Sequence, residues 1–117
     1  MHIMLSMTAT QKKQNALRDL VEVFDSQFFK ALAEPVRIEI LKFLLINGKS
    51  DVATVAKSIK KDRSVLSRHL HNLVETGLLK HEKISRNSYF EIDANGFRTK
   101  VSALFQKVDR AIKDCCP

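Results

Sequence analysis

Glycine and proline are scarce in this 117-residue chain, at 3 and 2 residues, too few for a turn-rich β-sandwich or for a collagen-like or disordered chain. No apolar run approaches the roughly 20 residues that a membrane span needs. The opening Met1-His2-Ile3-Met4-Leu5-Ser6-Met7 has neither the basic lead nor the apolar length of a signal peptide, so a cytoplasmic protein with no membrane partner is expected. Cysteine is confined to Cys115 and Cys116 at the extreme end, where the pair staples nothing in a core and thiols are expected rather than a structural disulfide. Also missing are an acid/base pair, a nucleophile with its base, a glycine-rich phosphate loop and a complete metal-ligand set, so no enzyme is expected. The length suits a single core and a single domain.

What is present is positive charge. Lysine and arginine outnumber aspartate and glutamate by 20 to 13, a formal +7, which favours an anionic partner. The excess is concentrated: Lys57, Lys60, Lys61, Arg63, Arg68, Lys80, Lys83 and Arg86 face only Asp62, Glu75 and Glu82, so +5 of the +7 falls between residues 57 and 86. A basic surface alone can be a solvated face, and the structure beneath the charges decides between the two readings.

Leu17, Leu20, Val21, Phe24 and Phe28 follow the spacing of one helix face and predict an amphipathic first helix over 11–28. Pro35 starts a second helix, and Asn47-Gly48 ends it. Its apolar residues from Val36 to Leu45 cover almost the whole circumference, which predicts a central position. Ser50 is the expected N-cap of a short helix carrying Val52, Val55, Ala56 and Ile59, and Asp62 the expected cap of the next. In that next helix Leu66, Leu70, Leu73 and Val74 share one side, whereas Ser64, Ser67, Arg68 and His71 occupy the other. Gly77 ends it, and two short helices arranged in this way are what a helix-turn-helix requires.

The period then changes. Leu79 to Ile84 and Ser88 to Ile92 read as two strands joined by Ser85-Arg86-Asn87, with Asn87 expected to take the turn conformation and Arg86 to project from the tip. Asp93 or Asn95 caps a last helix bearing Phe97, Val101, Leu104, Phe105, Val108 and Ile112. The fold class expected is mainly α with a small β-hairpin.

Lys30-Ala31-Leu32-Ala33-Glu34-Pro35-Val36-Arg37-Ile38-Glu39-Ile40-Leu41 and Ser64-Val65-Leu66-Ser67-Arg68-His69-Leu70 are followed by Leu73, by Glu75-Thr76-Gly77-Leu78 and by Arg86 ahead of Tyr89-Phe90. In that order and spacing the segment from Phe29 to Ile92 resembles the ArsR/SmtB winged-helix repressors. The resemblance implies a winged helix-turn-helix, a homodimer built on the first and last helices, and effector-controlled repression at double-stranded operator DNA. Residues 1–10 are then expected to be flexible, 11–28 and 94–114 to be dimerisation helices, 50–77 the helix-turn-helix and 78–92 the wing. The expected DNA contacts are Arg63, Ser64, Ser67, Arg68, His69 and His71 on the recognition helix, with Lys83 and Arg86 on the wing. Position 63 departs from the glutamine often found in the family.

Two familiar metal sites of such repressors have no ligands here. Ser50 to Ala56 contains no cysteine, and Gly96 to Asp114 no histidine. That leaves Cys115 and Cys116, which as thiolates suit arsenite, antimonite or another thiophilic ion, or a redox or sulfur signal. A bridge within the pair is disfavoured by Cα atoms about 3.8 Å apart, so oxidation is expected to link subunits. The opposing readings are an inert tail and, for the whole chain, a helical interaction module whose basic face docks an acidic protein.

Overall fold

The structure is a computed structural model and describes residues 8–116. Six helices and a three-stranded sheet occupy these residues in the order α1 (Ala9–Asp25), α2 (Gln27–Leu32), α3 (Pro35–Asn47), β1 (Ser50–Asp51), α4 (Val52–Ile59), α5 (Arg63–Glu75), β2 (Leu79–Ile84), β3 (Asn87–Ile92) and α6 (Ala94–Cys115). Among the described residues no helix is long and apolar enough to cross a membrane.

Local chemistry sets several of these boundaries differently from the sequence reading. Of segment 1–10, residues 1–7 lie outside the described residues, whereas Thr8 and Gln11 form a reciprocal capping box that starts α1 at Ala9. The first helix does not continue to Phe28. Ser26 adopts an extended backbone, its Oγ donates to the Val23 carbonyl at 2.7 Å and accepts from the Phe29 N–H, and one residue thereby ends α1 and caps α2. The N-cap of α4 is Asp51, which accepts from the Thr54 N–H at 2.9 Å, whereas Ser50 is spent on β1, opposite Phe90. Asp93 caps α6 through the Gly96 N–H.

The sheet order is β1-β3-β2, antiparallel throughout, with His81 opposite Phe90 and Ile84 opposite Asn87. The tight hairpin carries positive φ at Ser85 rather than at Asn87, which already belongs to β3. Between α5 and β2 the chain reverses at Gly77, φ +85°. There the Leu78 N–H donates to the Leu73 carbonyl and the Gly77 N–H to that of Val74, the paired bonds of a Schellman cap, and Leu73 and Leu78 are both buried beside it.

The core gathers Phe28 and Ala31 from α2, Ile40, Leu41 and Leu44 from α3, Val55 from α4, the three buried leucines of α5, and Phe90 from β3. α3 is central to it but not enclosed, since Leu45 and Ile46 remain 75% and 81% exposed. α1 lies along α6, burying Ala16, Val23 and Ala111 and pairing Glu22 with Lys107 at 2.9 Å. The other side of this pair is bare: Leu17, Val21 and Phe24 on α1 and Phe105 and Ile112 on α6 are exposed. The radius of gyration is 19.1 Å, against about 13 Å for a compact chain of this length.

Candidate nucleic-acid interface

The helix-turn-helix is α4, the three-residue turn Lys60 to Asp62, and α5. Lys60 closes α4 in the left-handed conformation, φ 59° and ψ 46°, and so turns the chain sharply into α5. Leu66, Leu70 and Leu73 recur along one face of α5 and are fully buried, each contributing about 1.5–3 kcal/mol by burial. That anchoring decides what the other face does. Arg63, Ser64, Arg68 and His71 are exposed, and Ser67 is half-buried. Asp62 stands at the N-cap by position, but its side chain makes no capping hydrogen bond. The first-turn N–H groups of α5 are therefore left for an outside acceptor.

The two histidines of this helix face different ways. His69 is half-buried and accepts the Nε–H of Arg37 on Nδ1 at 3.1 Å, which ties α5 to α3. Burial holds its pKa below the ordinary 6.5, and the neighbouring Arg37 guanidinium adds to the effect. As pH falls through 6.5 the unfolded chain therefore takes up this proton before the folded one, and stability is lost until the folded state is protonated as well. The melting temperature is expected to fall more steeply between about pH 7 and 5 than that of His69→Asn, which keeps an acceptor but cannot titrate. Parallel thermal melts across that range check this, and superimposable slopes would contradict it.

His71 is exposed, and its Nδ1–H donates to the Ser67 carbonyl at 2.8 Å, with Ser67 Oγ 3.4 Å from the same nitrogen. Its ring meets those of His81 and Phe90 edge-on, at 5.4 and 5.3 Å, and His81 stacks on Phe90 at 4.9 Å. The wing is thus packed against the recognition helix by an aromatic cluster. Lys83 on β2 and Arg86 at the hairpin tip are exposed, and Lys49 pairs with Glu82, engaging an acidic side chain on the wing.

Cys115 and Cys116 lie elsewhere. Cys115 ends the 22-residue α6, about 33 Å along the helix from its start beside the wing. The two cysteines form a disulfide with each other, which corrects the expectation that adjacent residues would not bridge. Cys116 has left the helical backbone, with φ −140° and ψ 62°, and this departure lets the second side chain turn back on the first. Among the described residues no group of three or more metal-ligating side chains is placed to hold an ion.

Sequence reasoning missed Arg37, Lys49 and His81. His81 shares the period-2 face of Leu79, but its pairing with Phe90 depends on a register that only the folded hairpin defines.

Residues 34–81, from the start of α3 into β2, match the family model described as "Bacterial regulatory protein, arsR family". The arsenical resistance operon repressor of Bacillus subtilis is 32% identical over 94 residues, which cover 77% of this chain and 88% of that protein. The chain belongs to the ArsR family. It is accordingly a DNA-binding transcription regulator with a winged helix-turn-helix. An uncharacterized HTH-type transcriptional regulator of Methanocaldococcus jannaschii is 35% identical over 69 residues, 58% of this chain and 78% of the relative. A solved structure described as a possible transcriptional regulator for arsenical resistance superposes on this ArsR-family chain with a TM-score of 0.58 at 30% identity, covering 75% of this chain and 95% of that one.

Proposed function

We propose that this ArsR-family chain is a homodimeric repressor that lays α5 in the major groove of its operator and the wing tip against the adjoining minor groove. The observation that carries the reading is the division of α5 into a fully buried leucine face and an outer face of exposed Arg63, Ser64, Arg68 and His71 with half-buried Ser67 between them. Arg68 offers the forked donors that read guanine, and the serines are short enough to let the helix approach the bases. The free N-terminal N–H groups of α5 favour phosphate, as do Lys83 and the other cations around the helix. Arg86 suits a narrow A·T-rich minor groove. His69 acts as a positioning residue that fixes the rotation of α5 through Arg37.

A single unit of this kind reads few bases, and the bare apolar side of α1 and α6 supports the association of two. A footprint of the protein on DNA upstream of its gene is then expected to show two half-sites with centres about 34–36 Å apart, or a whole-turn multiple of that. Protection of one isolated half-site would overturn the dimer.

The effector proposed is a thiophilic metalloid, arsenite or antimonite, held by Cys115 and Cys116. Reduction of the disulfide must come first, because thiolates are the ligands. Arsenite takes three thiolates, so the partner subunit or a small thiol completes the set. After reduction, arsenite is expected to release wild-type protein from labelled operator and to leave the double variant Cys115→Ser, Cys116→Ser bound, as read by fluorescence anisotropy. Release of the double variant would remove the tail from the sensor.

A further inference from the structure

Among the described residues lies a ligand-sized apolar cavity that neither the DNA-binding face nor the cysteine pair uses. It occupies about 590 Å³ where α3, the end of β3 and the first turns of α6 meet, within the range of about 300–1,000 Å³ typical of small-molecule sites. Ile38, Leu41 and Leu45 form one wall, Ile92 the floor, and Phe97 and Val101 the other wall. The charged residues lining it are Lys42 and Arg98, both exposed; among the described residues neither is in an ion pair, Arg98 donates one Nη1–H to the Asn95 side-chain oxygen at 3.3 Å, and no carboxylate lines the cavity.

We propose that this cavity is a second effector site, for a free amphiphilic monoanion whose apolar body fills the cleft and whose carboxylate meets Lys42 and Arg98. Charge complementarity selects this occupant: two cations stand at the rim with no carboxylate beside them, which suits an anionic head on an apolar body. The bare stripe suited to a partner subunit starts beside the cleft at Val101 and runs away from it along α6 through Phe105 to Ile112, about 21 Å along the helix from Arg98. The cavity joins α3, part of the DNA-binding body, to α6, which carries the dimerising stripe. A bound ligand therefore sets the angle between reading head and dimer axis, and with it the half-site separation. This last step rests on the dimeric repressor reading, whereas the binding site does not.

Calorimetry on the full chain without DNA tests the site. Decanoate, below its micelle concentration, is expected to bind one per protomer, about 15-fold more tightly than octanoate because each buried methylene is worth roughly fourfold. The cation decyltrimethylammonium should bind at least tenfold more weakly. Lys42→Glu with Arg98→Glu, at exposed positions that leave the core untouched, should cost decanoate at least tenfold, and Val101→Trp should fill the cleft and abolish binding. Absence of decanoate binding, or equal affinity for the cationic amphiphile, would overturn the proposal. So would binding restricted to a monomeric variant, since the second copy would then be the occupant. Decanoate binding by a protein that ignores operator DNA would leave this site standing and remove the repressor reading instead.

Discussion

Replacing Arg68 and Arg86 together with glutamate is expected to weaken binding to DNA upstream of the gene by at least about 100-fold, because each arginine contact with a base carries about 1–3 kcal/mol and reversal adds repulsion from phosphate. Both side chains are exposed and, among the described residues, neither is in an ion pair, so stability should move by no more than about 0.5 kcal/mol, as at ordinary surface positions. The single variants separate the roles. Arg68→Ala should relax preference at one base position, whereas Arg86→Ala should weaken binding most on operators that are A·T-rich under the wing tip. Anisotropy titrations with circular dichroism melts on the same samples check this. Undiminished DNA binding by the folded double variant would show that α5 and the wing tip are not the interface, and would favour an acidic protein as partner of this basic surface.

Leu17→Glu with Phe105→Glu is the second large expected effect. These side chains are 64% and 69% exposed within one protomer, so charging them removes little packing from the chain itself. The variants act only if a second copy covers them. Sedimentation should then report a folded monomer, and operator affinity should fall by at least about 100-fold, because one half-site contributes only part of a two-fold symmetric interface. A variant that stays dimeric would place the interface elsewhere. The elongation of the protomer supports the expected result: 19.1 Å is the radius of gyration of a chain that projects a helical pair away from its core.

The recognition helix was legible because both of its faces carry a pattern, leucine at helical spacing behind and short polar or basic groups in front. The wing was legible because the period changed from 3.6 to 2 after Gly77. Elsewhere the pattern could not decide. Leu17, Phe24 and Phe105 read as a buried face, but periodicity does not distinguish burial within a protomer from burial between two, and the structure leaves all three bare. Ser26 breaks the first helix by adding an N-cap bond from the Phe29 N–H to a back-bond onto the Val23 carbonyl, and the back-bond alone is one that a serine also makes within helices, so residue type does not mark the break. β1 is two residues long and exists only because β3 returns to pair with it. His69 and His71 are neighbours on a polar-looking stretch, yet one is drawn inward by an arginine 32 positions earlier and the other is held against the wing.

The exposed face of α5 as a reader of DNA sequence is tested most directly by competition. The purified protein, at physiological salt, is offered labelled DNA from upstream of its own gene together with unlabelled competitor, either the same sequence or a scrambled one of equal composition. The upstream sequence is expected to compete at least about 10³-fold better, the lower end for specific readers of duplex DNA. Equal competition by the two would mean that only phosphates are being met, and would contradict the assignment of Arg63, Ser64, Ser67 and Arg68 to the bases.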